Sequence, residues 1–258
     1  MANIGTWRSI TQVGTYEPFD LQVARGQIAG HSPVVIYGYS TAIGSTALGP
    51  VWEGQTQSGG LAPYPGSAAQ LVLVSDNAAD TSAKSVLISG LDANYKPITE
   101  TIALNGTSNV TTTNSFLRIN GMKMANSLNT GVITAKISTT VYAQINAGIG
   151  SSQASIFTVP AGYTFYLTYI QADASIGFTS SNYMILAEYN KDNSTGATTY
   201  NGQSVYVQYY NQPFTVPVAH PEKMDMQFLV KANSGSPFTV DIYAGGYLIQ
   251  NAIQGSNG

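Results

Sequence analysis

No window of about a dozen residues in this 258-residue chain carries apolar side chains at i, i+3, i+4 and i+7, the stripe that an amphipathic helix needs. Runs of five to eight residues instead alternate, or mass β-branched and aromatic side chains, between Gly, Pro, Asn and Asp punctuation. That period of two excludes a helical bundle and predicts an all-β chain. At this length the prior is one large or two ordinary domains, each able to bury a core without staples.

Several segments read as strands. Residues 85–89 and 98–104 form an expected hairpin, joined by Asp92, Asn94 and Pro97. Asn105-Gly106 suits a type I′ turn that would carry the meander on into 110–113 and 115–119, with a second Asn-Gly at Asn120-Gly121. Residues 132–137 and 141–145 complete the first set. An uncharged break at 146–153 then marks a domain boundary. The second set comprises 156–159, 163–170, 183–189, 204–210, 224–231 and 238–248. Both faces of 163–170 are substantial, which predicts a central strand covered on both sides. Met224, Met226, Phe228 and Val230 alternate with Asp225, Gln227, Leu229 and Lys231, which predicts one buried and one wet face. Strands at this spacing predict two β-sandwich or jelly-roll-like domains, residues 66–150 and 151–258.

The first 65 residues are Gly-rich and irregular, and a structureless loop of that length is uncommon inside a compact domain. They read as an extended arm with one or two short strands, lying on a neighbouring subunit. Phe19, Leu21, Val23, Arg25, Ile28 and His31 are its expected docking residues.

Composition narrows function mainly by exclusion. Charged residues make up 9% of the chain, against roughly 25% for an ordinary soluble domain. Hydrophobic residues stand at 43% and the formal charge is −3, so disorder is not expected and no basic stripe offers itself to nucleic acid. The absence of cysteine removes disulfides, thiolate nucleophiles and Cys-based metal sites. The N-terminus lacks the pattern of a secretory signal, no run approaches a membrane span, and neither a leader nor a membrane partner is expected.

Searches for chemistry return little. There is no nucleophile elbow, zincin motif, phosphate loop or EF-hand loop, and neither a cofactor nor a metal is expected. His220 reads as structural. His31 has Asp20 near it in sequence and Ser32 or Ser40 to complete a triad, a geometric arrangement that sequence cannot test. Glu100 shares a face with Ile98 and Ile102, which predicts an edge position or a pairing with Arg118 or Lys123. The chain has 17 tyrosines, and of those after residue 163, Tyr206, Tyr209 and Tyr210 are candidate contacts for a glycan. The sequons at Asn105, Asn109 and Asn193 read as chance in a Ser/Thr/Asn-rich chain.

Three strings carry a resemblance. Phe19-Asp20-Leu21-Gln22-Val23-Ala24-Arg25-Gly26-Gln27-Ile28-Ala29-Gly30-His31-Ser32, Gly90-Leu91-Asp92-Ala93-Asn94-Tyr95 with Ile98-Thr99-Glu100-Thr101-Ile102-Ala103-Leu104-Asn105-Gly106-Thr107, and Thr158-Val159-Pro160-Ala161-Gly162-Tyr163-Thr164 resemble segments of virion structural proteins of tailed bacteriophages, aquatic ones including cyanophages among them. The likeness spans most of the chain. It implies a non-enzymatic particle component, capsid-decorating (cement) or at the head–tail neck, located in the virion, with other virion proteins as partners and a homo-oligomeric state, a trimer by expectation. The alternative is a tail-fibre or adsorption protein that binds host surface glycan.

Overall fold

The computed structural model describes residues 17–54, 58–175, 183–205, 208–233 and 237–253. Among them the chain is all-β apart from a short helix α1 (Phe19–Ala24) and a terminal 3-10 turn, and every strand pair is antiparallel.

The strands are β1 (His31–Ile43), β2 (Gly49–Pro50), β3 (Ala69–Ser75), β4 (Ser85–Leu91), β5 (Pro97–Ala103), β6 (Val110–Phe116), β7 (Arg118–Met124), β8 (Ile133–Ile137) and β9 (Thr140–Ile145). The chain continues through β10 (Ile156–Thr158), β11 (Tyr163–Ala174), β12 (Met184–Asp192), β13 (Thr198–Val205), β14 (Tyr209–His220), β15 (Met224–Ala232) and β16 (Phe238–Gln250).

The first sandwich packs the sheet β6-β3-β8-β9 on the sheet β5-β4-β7. Alternate residues of both, including Leu71, Leu73, Ile88, Phe116 and Ile133, meet in one core. The second packs β1-β16-β11-β14 on β10-β15-β12-β13, with β2 sharing a flank of β15. Its larger core takes in Ile36, Phe165, Leu167, Phe228, Val230, Val240 and Ile242.

Pairing across the chain overturns part of the expected organisation. Residues 31–50 do not lie extended on a neighbour: β1 pairs with β16 from His31↔Ile249 to Ile43↔Phe238, and Gly49 and Pro50 pair with β15. Ile36, Ile43 and Val51 are core residues. The second sandwich is thus built from both ends of the described chain, and the first is an insertion into it. The physical reason is that a long β-branched run with its amide edge free is more stable beside a strand of the same chain than left in solvent. Gly38 lets β1 pack closely on the opposite layer, since a Cβ there would fall 2.2 Å from the carbonyl oxygen of Val51.

Local expectations fare unevenly. The β4–β5 hairpin forms as read, and the strands expected at 132–137 and 141–145 pair with each other as β8 and β9. Asn105-Gly106 does not make a hairpin turn; it carries the chain from β5 in one sheet to β6 in the other. Asn120-Gly121 is no turn either. Ser89 pairs with Gly121 and Gly90 with Ile119, leaving Asn120 as a bulge in β7. The expected strand at 204–210 falls where β13 ends and β14 begins. β11 is central, between β16 and β14, but nothing in the described chain forms a third layer over its outer face. The wet face expected on β15 is buried: Asp225 is 0% and Gln227 1% exposed.

Candidate functional site

Three arrangements could serve function: the junction between the sandwiches, the outer face of one sheet, and a cleft at the open side of the second sandwich.

The junction is built on charge. Arg118, at the start of β7, donates from Nε and Nη2 to the two carboxylate oxygens of Asp225 on β15, at 2.7 and 2.9 Å. Asp225 also accepts from Thr158 Oγ1 and from Asn193 Nδ2. The guanidinium lies between the rings of Tyr64 and Tyr95, 4.6 and 5.4 Å from their centroids. Beside it, the bulged Asn120 reads the backbone of Thr158 with both ends of its amide, at 2.9 Å each. Gln227 does the same with Ala62. Because Asn193 spends its amide on Asp225 and Lys223, its sequon offers no free acceptor nitrogen. The arrangement ties the two sandwiches together.

The outer face of β1-β16-β11-β14 is a field of tyrosines. Strand alternation sends Ile36, Ile242, Leu167 and Ile170 to the core, and so turns Tyr37, Tyr39, Tyr166, Tyr169, Tyr209, Tyr243 and Tyr247 outward. Tyr169 and Tyr243 stack at 6.2 Å, and Tyr37 meets Tyr243 edge-on at 5.8 Å. These four strands contain no Lys or Arg. Their only acids, Asp173 and Asp241, stand directly opposite each other, and burial together with Asp173 raises the Asp241 carboxyl above its usual range.

At one end of this face sits α1. Pro18 precedes its first turn and Gly26, at φ +68°, follows its last. Phe19 packs edge-on against His31 and Tyr247, and Asp20 accepts a hydrogen bond from the Tyr247 hydroxyl. Of the six expected docking residues, Phe19 and Leu21 are exposed, at 43% and 47%. Arg25 is exposed and paired with Glu17, while Ile28 and His31 are half-buried. Val23 is 1% exposed and belongs to the chain's own interior, so it cannot dock a partner. His31 directs Nδ1 at the Ala29 carbonyl and Asp20 is taken by Tyr247, so no acid orients this imidazole.

Tyr209 and Tyr210 do not act together. Tyr209 joins the outer field and is bonded by Gln171, whereas Tyr210 turns inward over the cleft. Tyr206 lies outside the described residues. Glu100 occupies the edge strand β5, as expected, but accepts from the backbone N–H of Thr113 and Asn114 and pairs with neither Arg118 nor Lys123.

The cleft opens between β13 and β14, the edge strands of the two sheets, and encloses about 360 Å³. Ile170, Leu186, Phe214, Val218 and Phe228 give it an apolar lining, and Asn201, Gln203, Tyr210 and Gln212 stand at its rim. The Gln203 amide donates to the Tyr210 hydroxyl and spans the mouth. Glu188 also lines it, with its side chain 11% exposed and its Oε1 3.3 Å from His220 Nε2. His220 stacks on Phe165 inside the sandwich, where burial lowers its imidazole to about 4 and raises the Glu188 carboxyl. Glu188 Oε1, His220 Nε2 and Asn190 Oδ1 are buried without a hydrogen-bond partner. Sequence reasoning missed Glu188 and Asn190, although their parity with the core residues Met184 and Leu186 along β12 was a readable signal.

Among the described residues no three His, Asp or Glu side chains gather as a metal-binding group, and no helix is long and apolar enough to cross a membrane.

The chain matches no protein-family model and no curated protein. Solved structures similar to it include the infectious bursal disease virus VP2 subviral particle (8% identity, 87% of this chain and 73% of that one, TM-score 0.24). The structure of the Gx strain of the same virus is another (11% identity, 88% and 72%, TM-score 0.21). Likeness at this level carries no functional argument.

Proposed function

We propose that the chain is a non-enzymatic structural subunit of a tailed-phage virion, a capsid-decorating or head–tail accessory protein held by its tyrosine face and by α1. The observation that carries this reading is the outer face of β1-β16-β11-β14: a tyrosine-rich sheet surface without a single Lys or Arg, extended by the exposed Phe19 and Leu21. Tyrosine suits such a contact because it removes a large apolar area from water while its hydroxyl keeps a polar partner. The resemblance to virion proteins points the same way, and the low charge of the chain finds its use here.

The test is a variant with Tyr169→Ser and Tyr243→Ser, which removes ring area from the face and leaves the core intact. Its fold, by circular dichroism, should match that of the parent, while its copy number in purified particles falls to background. Incorporation at the parental copy number defeats the reading.

The second reading, an adsorption protein that binds host glycan, is favoured by Tyr210 and the cleft it overhangs. Averaged density of intact particles separates the two by placing the subunit on the head and neck or at the tail tip.

A further inference from the structure

The apolar cleft between β13 and β14 has a single carboxyl group in its lining, that of Glu188. A buried donor or acceptor left unpaired costs about 1–3 kcal/mol; behind the cleft, Glu188 Oε1 and His220 Nε2 face each other at 3.3 Å without an aligned hydrogen bond, and Asn190 Oδ1 has no partner. Glu188 is the one that faces the cleft. Since the rest of the lining is apolar and the rim is made of side-chain amides, an occupant must present C–H surface on one side and hydrogen-bond donors on another.

Charge narrows the class further. Burial without a cationic neighbour disfavours the ionised forms of both Glu188 and His220. Asp173 and Asp241 project from the far face of the opposite sheet, outside the cleft lining. The lining holds no Lys, Arg or Asp, and its other polar groups are side-chain amides and one tyrosine hydroxyl, which suit hydroxyl groups better than an ammonium.

We infer that this cleft binds a single neutral sugar ring, its C–H face on the wall formed by Phe214 and Val218 and a ring hydroxyl on Glu188. Asn201 and Gln203 of β13 and Gln212 of β14 supply the exchangeable donors and acceptors that a second hydroxyl requires. The inference does not depend on where the subunit sits in a particle, because it concerns the isolated protein.

Saturation-transfer NMR on the full chain tests it, with an equimolar mixture of methyl glycosides of neutral hexoses and 6-deoxyhexoses, and n-butylammonium as a separate probe. The expected result is transfer to the C–H protons of at least one glycoside, abolished by Val218→Trp, which fills the cleft from a position 37% exposed, and by Glu188→Leu. Glu188→Gln, which can still bond a hydroxyl, should retain it. Circular dichroism confirms that each variant is folded. Transfer to no glycoside overturns the inference, as does transfer that persists in the folded Val218→Trp protein. Transfer to the ammonium alone overturns it too, since the site would then select charge.

Discussion

Arg118 and Asp225, 107 residues apart, form a two-bonded ion pair across the junction of the sandwiches, with side chains 6% and 0% exposed. Such a pair contributes little net stability over an apolar replacement, yet removing one partner strands the other charge in a dry interior. Asp225→Asn is expected to lower unfolding stability by about 3–5 kcal/mol, and the Arg118→Met/Asp225→Leu double variant by much less. Urea denaturation followed by circular dichroism measures both. Equal losses in the two would mean that the stranded charge is not what costs.

Glu53 sets a pH dependence. Burial pushes its carboxyl up to about 8, against the opposing pull of hydrogen bonds from backbone amides, Gln153 among them. The unfolded value is near 4.3, so between about 4.5 and 8 the folded state holds a proton that the unfolded state lacks. Stability from this group therefore falls as pH rises through that window, by at most ~1.4 kcal/mol per unit, and levels off above it. The difference in urea midpoint between the parent and Glu53→Gln should widen from pH 5 to pH 8 in favour of the variant. A constant difference refutes the assignment.

Two neighbouring glycines should respond differently to the same change. A Cβ at Gly246 would lie 1.9 Å from the backbone carbonyl of Tyr166, which cannot give way. Gly246→Ala should cost about 3 kcal/mol or more. At Gly245 the obstacle is the Tyr169 ring, 2.5 Å away and half-exposed. Gly245→Ala should cost about 1 kcal/mol as the ring swings off, and should alter the near-ultraviolet dichroism of the Tyr169–Tyr243 stack. Thermal melts and spectra of the two variants decide this.

Truncation tests the corrected domain organisation. Removing residues 1–65 takes away Ile36, Ile43, Val51 and Trp52, exposed by 3%, 0%, 0% and 6%. At about 1.5–3 kcal/mol for each large side chain, that loss rivals the 5–15 kcal/mol holding a typical domain together. The shortened chain should lose the dispersed amide resonances of the second sandwich. Full dispersion in residues 66–258 would restore the dispensable arm.

How much of this was readable in advance depends on the distance over which each feature is encoded. The β4–β5 hairpin was legible because Asp92 folds its own turn, accepting from the amides of Asn94 and Lys96 within four residues. β11 is central as expected, but its two substantial faces misled about cover, because a run of outward tyrosines reads the same as a second buried face. Asn105-Gly106 misled because a dipeptide that tolerates a turn does not say whether the chain returns to the same sheet. On the candidate site, Tyr209 and Tyr210 stood out by composition, but adjacent residues on a strand face opposite ways, and that separates them.

By itself the sequence determined the period of two, the punctuation and the scarcity of charge, and therefore an all-β chain in two sandwiches. Only the tertiary structure decided that β1 closes the second sandwich, that Asp225 and Gln227 are dry, and that Glu188 waits at the base of a cleft. Every residue but proline offers the same backbone donor and acceptor, so no local pattern names the distant strand that will pair with them. A polar residue on a strand is wet or buried according to whether a partner such as Arg118 arrives from elsewhere in the chain.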